Sequence, residues 1–123
     1  MKALTICQPY AELIARGEKI IENRTWSTPY RGPLVIHAGK SRDWLNGEKW
    51  EDALPFGAIV ATAQLVDCKF VDDLPPDLQG NKHANGPWCW ILVDVKRVTE
   101  PIPYRGAQGL FDVPDEVLLT VAR

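Results

Sequence analysis

Three charged side chains within one short segment carry the groups with which proteins bind polar ligands. Lys19, Glu22 and Arg24 supply an ammonium, a carboxylate and a guanidinium. In an extended strand, Glu22 and Arg24 share a face because side chains two positions apart do so. Lys19 and Arg24 can then hold a phosphate or a carbonyl oxygen, while Glu22 can accept a hydrogen bond from an exocyclic amine, as on cytosine. The alternative is that Glu22 pairs with Arg24 or Arg31, a surface contact that stabilises little.

Aromatic and histidine side chains follow this segment. Trp26 and Tyr30 flank the next turn, where an exposed ring could stack on a base, a contact worth about 1 to 3 kcal/mol in single-strand binders. Packing against the core is the alternative for both rings. His37 ends the apolar segment 34–37, close to Lys40. Histidine titrates near neutrality and can act as an acid or a base, or it can be a hydrogen-bonded residue at a strand end.

These residues must be positioned by short strands, which alternation, β-branched residues and turn signals predict. The predicted strands are residues 3–7, 19–25, 34–37, 57–66 with a continuation at 68–71, and 88–98. A helix is predicted from Gln8 to Gly17 with Tyr10, Leu13 and Ile14 on one face, and another over residues 43–54. Residues 74–86 are a predicted loop, residues 101–106 are expected to interrupt the last strand, and residues 117–122 are left unassigned.

Few helices, many short strands and frequent glycine and proline favour an α+β fold with a small mixed β-barrel over a βαβ fold. A chain of 123 residues, 46% of them hydrophobic, is expected to form one domain over residues 1–123. The longest apolar segments, 57–63 and 88–93, are shorter than the roughly 20 residues that cross a bilayer. No signal pattern begins the chain, so the sequence predicts no membrane association and a cytoplasmic location.

No metal or cofactor is predicted. Cys7, Cys68 and Cys89 are widely spaced without a C-x-x-C pair, which favours reduced core cysteines. His37 and His83 lack partners at metal-binding spacing.

Charge is unevenly distributed, although the formal net charge is only −2. Residues 16–49 contain seven basic and four acidic side chains, whereas residues 50–80 contain one basic and six acidic ones. The basic region can steer a phosphate-bearing ligand. The acidic segment from Glu51 to Asp77 raises the alternative of an adaptor surface for a protein partner, although such a segment is usually a solvated face.

An ordered set of motifs along nearly the whole chain resembles the ASCH domain family. The early motifs are QPYA at 8–11, GEKIIENRTW at 17–26 and TPYRG at 28–32, and the later ones are GAIV at 57–60 and GPWCW at 86–90. No single short motif is specific, but their order is. The resemblance identifies a Gly-x-Lys loop, a Glu-x-Arg strand and an Arg-Gly turn.

The resemblance implies a PUA-like mixed β-barrel of five to six strands with short flanking helices, and a cleft lined by these three motifs. The family is thought to bind RNA or modified nucleosides there. Some small members are amidohydrolases that remove the acetyl group of acetylated cytidine with a lysine, a threonine three residues later and a distant glutamate. Another is reported as a single-strand ribonuclease. Lys19 matches the lysine, whereas Glu22 stands at the threonine position.

The predicted function is therefore binding of RNA or a modified nucleoside. The alternatives are a small hydrolase acting on acetylcytidine or single-stranded RNA, and a protein-interaction adaptor. The sequence defines no oligomeric state. The candidate catalytic residues are Lys19 and Glu22, and the candidate ligand-binding residues are Lys19, Glu22, Arg24, Trp26, Tyr30, Arg31, His37 and Lys40.

Overall fold

A computed structural model of the protein describes residues 1–45 and 54–119. The strands are β1 (Lys2–Ile6), β2 (Ile21–Arg24), β3 (Gly32–Ala38), β4 (Ala58–Phe70), β5 (Trp88–Pro103) and β6 (Phe111–Asp112). The helices are α1 (Tyr10–Ala15) and α2 (Asp115–Leu119), with 3₁₀ turns at Asp43–Leu45 and Val71–Asp73. No helix in these described ranges has the length and apolar character needed to cross a bilayer.

The six strands form one mixed sheet in the order β2-β5-β4-β3-β1-β6. Strands β1 and β3 are parallel, and the other neighbours are antiparallel. The predicted mixed sheet with short helices is confirmed. Over the described residues, however, the sheet is open rather than a closed barrel, because the end strands β2 and β6 do not pair with each other. The end strand β6 has only two residues, and both pair with β1.

Side chains on both faces of the sheet are buried, which explains why β3 is an almost continuous apolar run. Leu34 and Ile36 face the larger core cluster, which α1 covers and which includes Trp90. Val35 faces a second cluster together with Ile59. Burying each large aliphatic side chain contributes roughly 1.5 to 3 kcal/mol. Trp90 is fully buried in the larger cluster.

Helix α1 is shorter than the predicted helix from Gln8 to Gly17. On the predicted face Ile14 is fully buried, whereas Tyr10 and Leu13 are only partly so; Ala11 is also fully buried. The Tyr10 ring packs against the larger core cluster and also lines a cavity. Glu12 lies on the buried face.

Arg97 of β5 fixes α1 to the sheet through Glu12. Its Nη1 and Nη2 donate to the two carboxylate oxygens of Glu12 at 3.1 and 2.7 Å, and Arg16 Nε donates at 2.7 Å. Such bidentate charged pairs are among the strong hydrogen bonds of proteins. This ion cluster anchors α1, and the chain leads from α1 into β2.

The structure corrects two predictions of local structure and assigns part of the segment that the sequence left unassigned. Strand β5 continues through Pro101, so the predicted interruption of this strand is wrong. Strand β2 pairs with β5 only as far as Ile91, and this edge of β5 is therefore not paired with β2 at Pro101. Proline is tolerated at an unpaired strand edge, because no hydrogen bond from its backbone nitrogen is needed there. Of the predicted helix 43–54, only the 3₁₀ turn Asp43–Leu45 is seen, residues 46–53 lie outside the described part, and residue 54 is not helical. In the unassigned segment, residues 117–119 belong to α2, and 120–122 lie outside the described part.

Candidate functional site

A cavity of about 380 Å³ lies where α1, the start of β2 and the 74–86 loop meet. It brings together Lys19, Glu22 and Arg24, the three charged side chains that the sequence places within one short segment. The walls combine apolar and polar groups. The lining residues are Ile6, Cys7, Tyr10, Lys19, Glu22, Asn23, Arg24, Trp44, His83 and Asn85.

Lys19 reaches the cavity from the turn that follows α1. Gly17 adopts a φ of +79°, a left-handed conformation that suits glycine, and the amide of Lys19 donates to the carbonyl of Leu13. The residue is only 2% exposed. Its ammonium donates to the carbonyl of Ile21 and lies 3.3 Å from Glu22 Oε1. Burial lowers the pKa of Lys19, and the nearby Glu22 carboxylate only partly offsets this.

Glu22 is contacted by a cation at each carboxylate oxygen. Its Oε2 lies 3.2 Å from Arg24 Nε, while Arg24 Nη2 donates to the carbonyl of Thr5 at 2.5 Å. Arg24 Nε itself is buried and has no well-aligned hydrogen bond to any described residue. The predicted alternative, pairing of Glu22 with Arg24, is therefore present, but it lies inside a cavity beside Lys19 rather than on an exposed surface.

The 81–86 loop forms the opposite wall, and Asn23 holds it there. Asn23 Nδ2 donates to the carbonyl of His83 at 2.8 Å, and Asn23 Oδ1 accepts from the amides of Asn85 and Gly86 at 3.0 and 2.8 Å. Each of these contacts joins residues about 60 positions apart in the chain. The loop position thus depends on one amide side chain of β2.

His83 is a cavity residue that the sequence motifs do not identify. Its Nε2 is buried and has no hydrogen-bond partner among the described residues. Burial lowers the pKa of His83, and the positive charges of Lys19 and Lys82 lower it further, so the imidazole is neutral at physiological pH. The sequence predicts a loop over residues 74–86, but no local pattern shows that it faces Glu22.

Trp26 lies outside this cavity, beside a second one of about 460 Å³ that also contains Arg24 and Thr5. Its ring makes an edge contact with Trp90 at a centroid distance of 4.8 Å, and its carbonyl accepts from Trp90 Nε1. The side of Trp26 away from Trp90 remains accessible, since the residue is 36% exposed. Both predicted alternatives, packing and an available ring face, therefore apply to this residue.

Tyr30 and Arg31 are turned away from all three described cavities. The Tyr30 hydroxyl donates to the carbonyl of Pro33 at 2.5 Å, and its ring packs against the larger core cluster. Arg31 donates to the carbonyl of Thr28 and lies 3.4 Å from Asp67. These contacts close the turn before β3, which carries the chain away from the cavity around Lys19.

His37 and Lys40 border a third cavity of about 280 Å³. His37 is 2% exposed, and both ring nitrogens are used: Nε2 lies 2.7 Å from the carbonyl of Tyr104, and Nδ1 lies 3.0 Å from the hydroxyl of Thr5. Because a carbonyl only accepts, Nε2 donates to Tyr104. This geometry favours the hydrogen-bonded strand-end histidine over an acid or base.

Cys7 borders the first cavity, whereas Cys68 and Cys89 are buried, and all three are free thiols. Within residues 1–45 and 54–119, no group of three His, Cys, Asp or Glu side chains could hold a metal ion. In the acidic segment, Asp67 pairs with Arg31, and Glu51 lies outside the described residues.

The first cavity can therefore recognise a planar polar ligand. Lys19 and Arg24 donate, Glu22 accepts, and His83 offers a neutral nitrogen, all within one concave site. Apolar walls beside these groups allow ring stacking.

Comparisons with known proteins agree on one family. The family model described as ASCH domain matches residues 4–103. Activating signal cointegrator 1 from Homo sapiens and from Mus musculus is 25% identical over 132 aligned positions, covering 93% of this chain and 22% of each relative. The chain thus spans about a fifth of the length of these curated relatives. The crystal structure of ASCH from Zymomonas mobilis superposes with a TM-score of 0.60 at 15% identity, covering 94% of this chain and 89% of that one. A mutant of the Zymomonas protein gives a TM-score of 0.59 at 15% identity, covering 97% and 94%.

Proposed function

This chain belongs to the ASCH domain family, and on that premise we propose that it binds RNA or a modified nucleoside through the cavity around Lys19, Glu22 and Arg24. A PUA-like relationship of the six-stranded sheet is part of the same proposal. The observation that carries the proposal is the buried carboxylate of Glu22, which lies between two cations inside a cavity.

Placing Lys19 in the interior is costly for a fold of this size. Desolvating an ammonium costs several kcal/mol, and its attraction to Glu22 offsets this only in part. Charged residues with perturbed pKa values in a cleft are typical of functional sites. We therefore attribute this ion group to ligand recognition rather than to stability.

The shape and chemistry of the cavity suit a nucleobase. Its volume of about 380 Å³ lies within the range of small-molecule sites. Tyr10 and Trp44 lie 6.3 Å apart between ring centroids on its apolar side, and Trp44 is 54% exposed, so its ring is accessible for stacking. Glu22 accepts from an exocyclic amine, while Arg24 or Lys19 donates to a ring carbonyl, the pattern that cytosine presents.

One observation favours hydrolysis as a second candidate function. The lowered pKa of Lys19 makes its amine easier to deprotonate, as acid–base catalysis requires. Against this, Glu22 stands where the amidohydrolases of the family have threonine and supplies no hydroxyl, and the Thr5 hydroxyl is hydrogen-bonded to His37. Binding is therefore the function that the geometry supports best.

Calorimetric titration of cytidine, N4-acetylcytidine and uridine tests the proposal. We expect cytidine to bind the wild-type protein and uridine to bind more weakly, because uridine has a carbonyl where cytidine has the amine. Glu22→Gln should lower the cytidine affinity about tenfold and reduce the preference over uridine. Lys96→Ala removes an exposed charge that lines none of the described cavities and is the matched control.

Absence of binding by all three nucleosides, or an unchanged affinity in Glu22→Gln, would overturn the proposal. Incubation with N4-acetylcytidine and single-stranded RNA, followed by chromatography, separates the two candidate functions. Turnover that Glu22→Gln abolishes would make the protein a hydrolase. Bound but unaltered ligand supports recognition alone.

A further inference from the structure

The third cavity, of about 280 Å³, is bordered by two cationic side chains. Lys40 and Arg105 both line it and are both exposed. Within residues 1–45 and 54–119, neither side chain forms a hydrogen bond or ion pair. Such cations are available to an anion from solution.

Lys40 is held in place through its alkyl stem. A Cβ on Gly57 would lie 3.0 Å from Lys40 Cε and 3.3 Å from Lys40 Cγ, so the stem lies against the bare backbone of Gly57. Gly57 also has a φ of +63°, which other residues adopt with strain. The ammonium of Lys40 is thus positioned beside the cavity by contacts at both ends of its stem.

Arg105 lies between two anchored neighbours. The carbonyl of Tyr104 accepts from His37 Nε2 at 2.7 Å. A Cβ on Gly106 would lie 2.7 Å from Thr5 Oγ1 and 2.8 Å from His37 Cε1, so this segment packs closely against the ends of β1 and β3. His37, fully hydrogen-bonded, therefore positions the backbone from which Arg105 projects.

We propose that Lys40 and Arg105 form a phosphate-binding subsite. Arginine presents a planar fork and lysine a compact charge, and the two together suit the oxygens of a phosphate group. The cavity is accessible, and besides Lys40 and Arg105 its lining consists of Thr5, His37 and three glycines, Gly39, Gly57 and Gly106. Among the described residues, no acidic side chain lines it.

The second cavity has lining residues in common with each of the other two. The first two cavities share Arg24, and the second and third share Thr5. Trp26, which is exposed, lines the second cavity. We assign a base at Glu22 and a phosphate at Lys40 to different nucleotides of one strand. This inference rests on the proposed function and deepens it, since it makes the ligand an oligonucleotide rather than a free nucleoside.

The test uses cytidine, 5′-CMP, 3′-CMP and unlabelled oligocytidylates of increasing length, titrated calorimetrically at several salt concentrations. The variant is Lys40→Met with Arg105→Gln, which removes both charges. Methionine keeps an unbranched stem as far as Cε, so that the stem contact on Gly57 is retained. Lys96→Ala is the matched cation control. Thermal unfolding confirms that each variant is folded.

We expect the double variant to bind cytidine like wild type and to bind the longer oligomers about tenfold more weakly at low salt. The slope of log affinity against log salt should fall by about 0.7 for each phosphate that the variant no longer binds. The length at which the two proteins diverge identifies the phosphate that is bound. A weaker affinity already seen with 5′-CMP or 3′-CMP would place a terminal phosphate there instead and overturn the oligonucleotide assignment.

Equal oligomer binding by the double variant and the Lys96→Ala control would overturn the subsite. The cytidine titration keeps the two proposals separate. If cytidine does not bind, or Glu22→Gln leaves its affinity unchanged, but oligomer affinity still depends on Lys40 and Arg105, the nucleoside proposal fails and the phosphate subsite stands. If cytidine binds but oligomer affinity does not depend on these cations, the nucleoside proposal stands and the phosphate subsite fails.

Discussion

The ammonium of Lys19 lies 3.3 Å from the carboxylate of Glu22, and the two side chains are only 3% and 11% exposed. Arg24 contacts the other oxygen of the same carboxylate. This is a buried ion group at the junction of a helix turn and an end strand. Its consequences for stability and for binding can be measured separately.

Neutralising Glu22 alone should destabilise the fold. Glu22→Gln leaves the buried Lys19 ammonium without a full counter-charge, and breaking a buried pair on one side costs about 3 kcal/mol. The double variant Lys19→Met/Glu22→Gln removes both charges of the pair and should recover much of that stability. Urea unfolding at pH 7 measures the free energy of unfolding of both variants. A double variant no more stable than Glu22→Gln would show that the charge imbalance is not the cause.

The lowered pKa of Lys19 should appear as a pH dependence of stability. The folded pKa lies below the ordinary value of 10.5, so the unfolded chain binds more protons between these two values. The free energy of unfolding contributed by Lys19 must then rise with pH in that window. Comparing wild type with Lys19→Met from pH 7 to 10.5 cancels the other titrating groups. A difference that stays constant or falls with pH would contradict the lowered pKa of Lys19.

Asn23 should control the 81–86 loop. Asn23→Ala removes the acceptor for the amides of Asn85 and Gly86 and the donor to His83, and should cost about 1 to 3 kcal/mol. Hydrogen exchange at the two amides should accelerate. Asn23→Asp keeps the acceptor and loses only the donor, so it should be intermediate. Unchanged exchange in Asn23→Ala would mean that other contacts hold the loop.

Glu12 should contribute to acid stability. Burial alone raises its pKa, but the hydrogen bonds from Arg97 and Arg16 outweigh burial, so the pKa lies below the ordinary value of 4.5. The stabilisation is therefore present above that value and is lost as pH falls through the lowered pKa. Glu12→Gln should be less stable than wild type at pH 7, and the difference should shrink towards pH 3. Urea titrations across this range measure it, and a gap that widens in acid would refute the assignment.

The motifs predicted the family and the charged group at Lys19, Glu22 and Arg24, because these depend on neighbouring residues. Strand alternation predicted that Glu22 and Arg24 share a face, and their side chains are in contact at 3.2 Å. No local sequence pattern predicted that β1 pairs in parallel with β3, with Lys2 opposite Leu34.

Other features depend on contacts between distant residues. The carbonyl of His83 accepts from Asn23, 60 positions earlier in the chain. The burial of Glu12 depends on Arg97, 85 positions later, whereas a helical glutamate alone suggests an exposed face. The role of His37 depends on Tyr104, 67 positions away. Local periodicity carries no information about such partners.

Residue-resolved NMR titration with cytidine tests nucleoside recognition at the first cavity most directly. We expect amide shifts to concentrate at residues 19–24 and 81–86, on the two walls of that cavity, and we expect Glu22→Gln to suppress them while Lys96→Ala does not. Shifts confined to another surface, or no shifts at residues 19–24 at saturating cytidine, would contradict nucleoside recognition at this site.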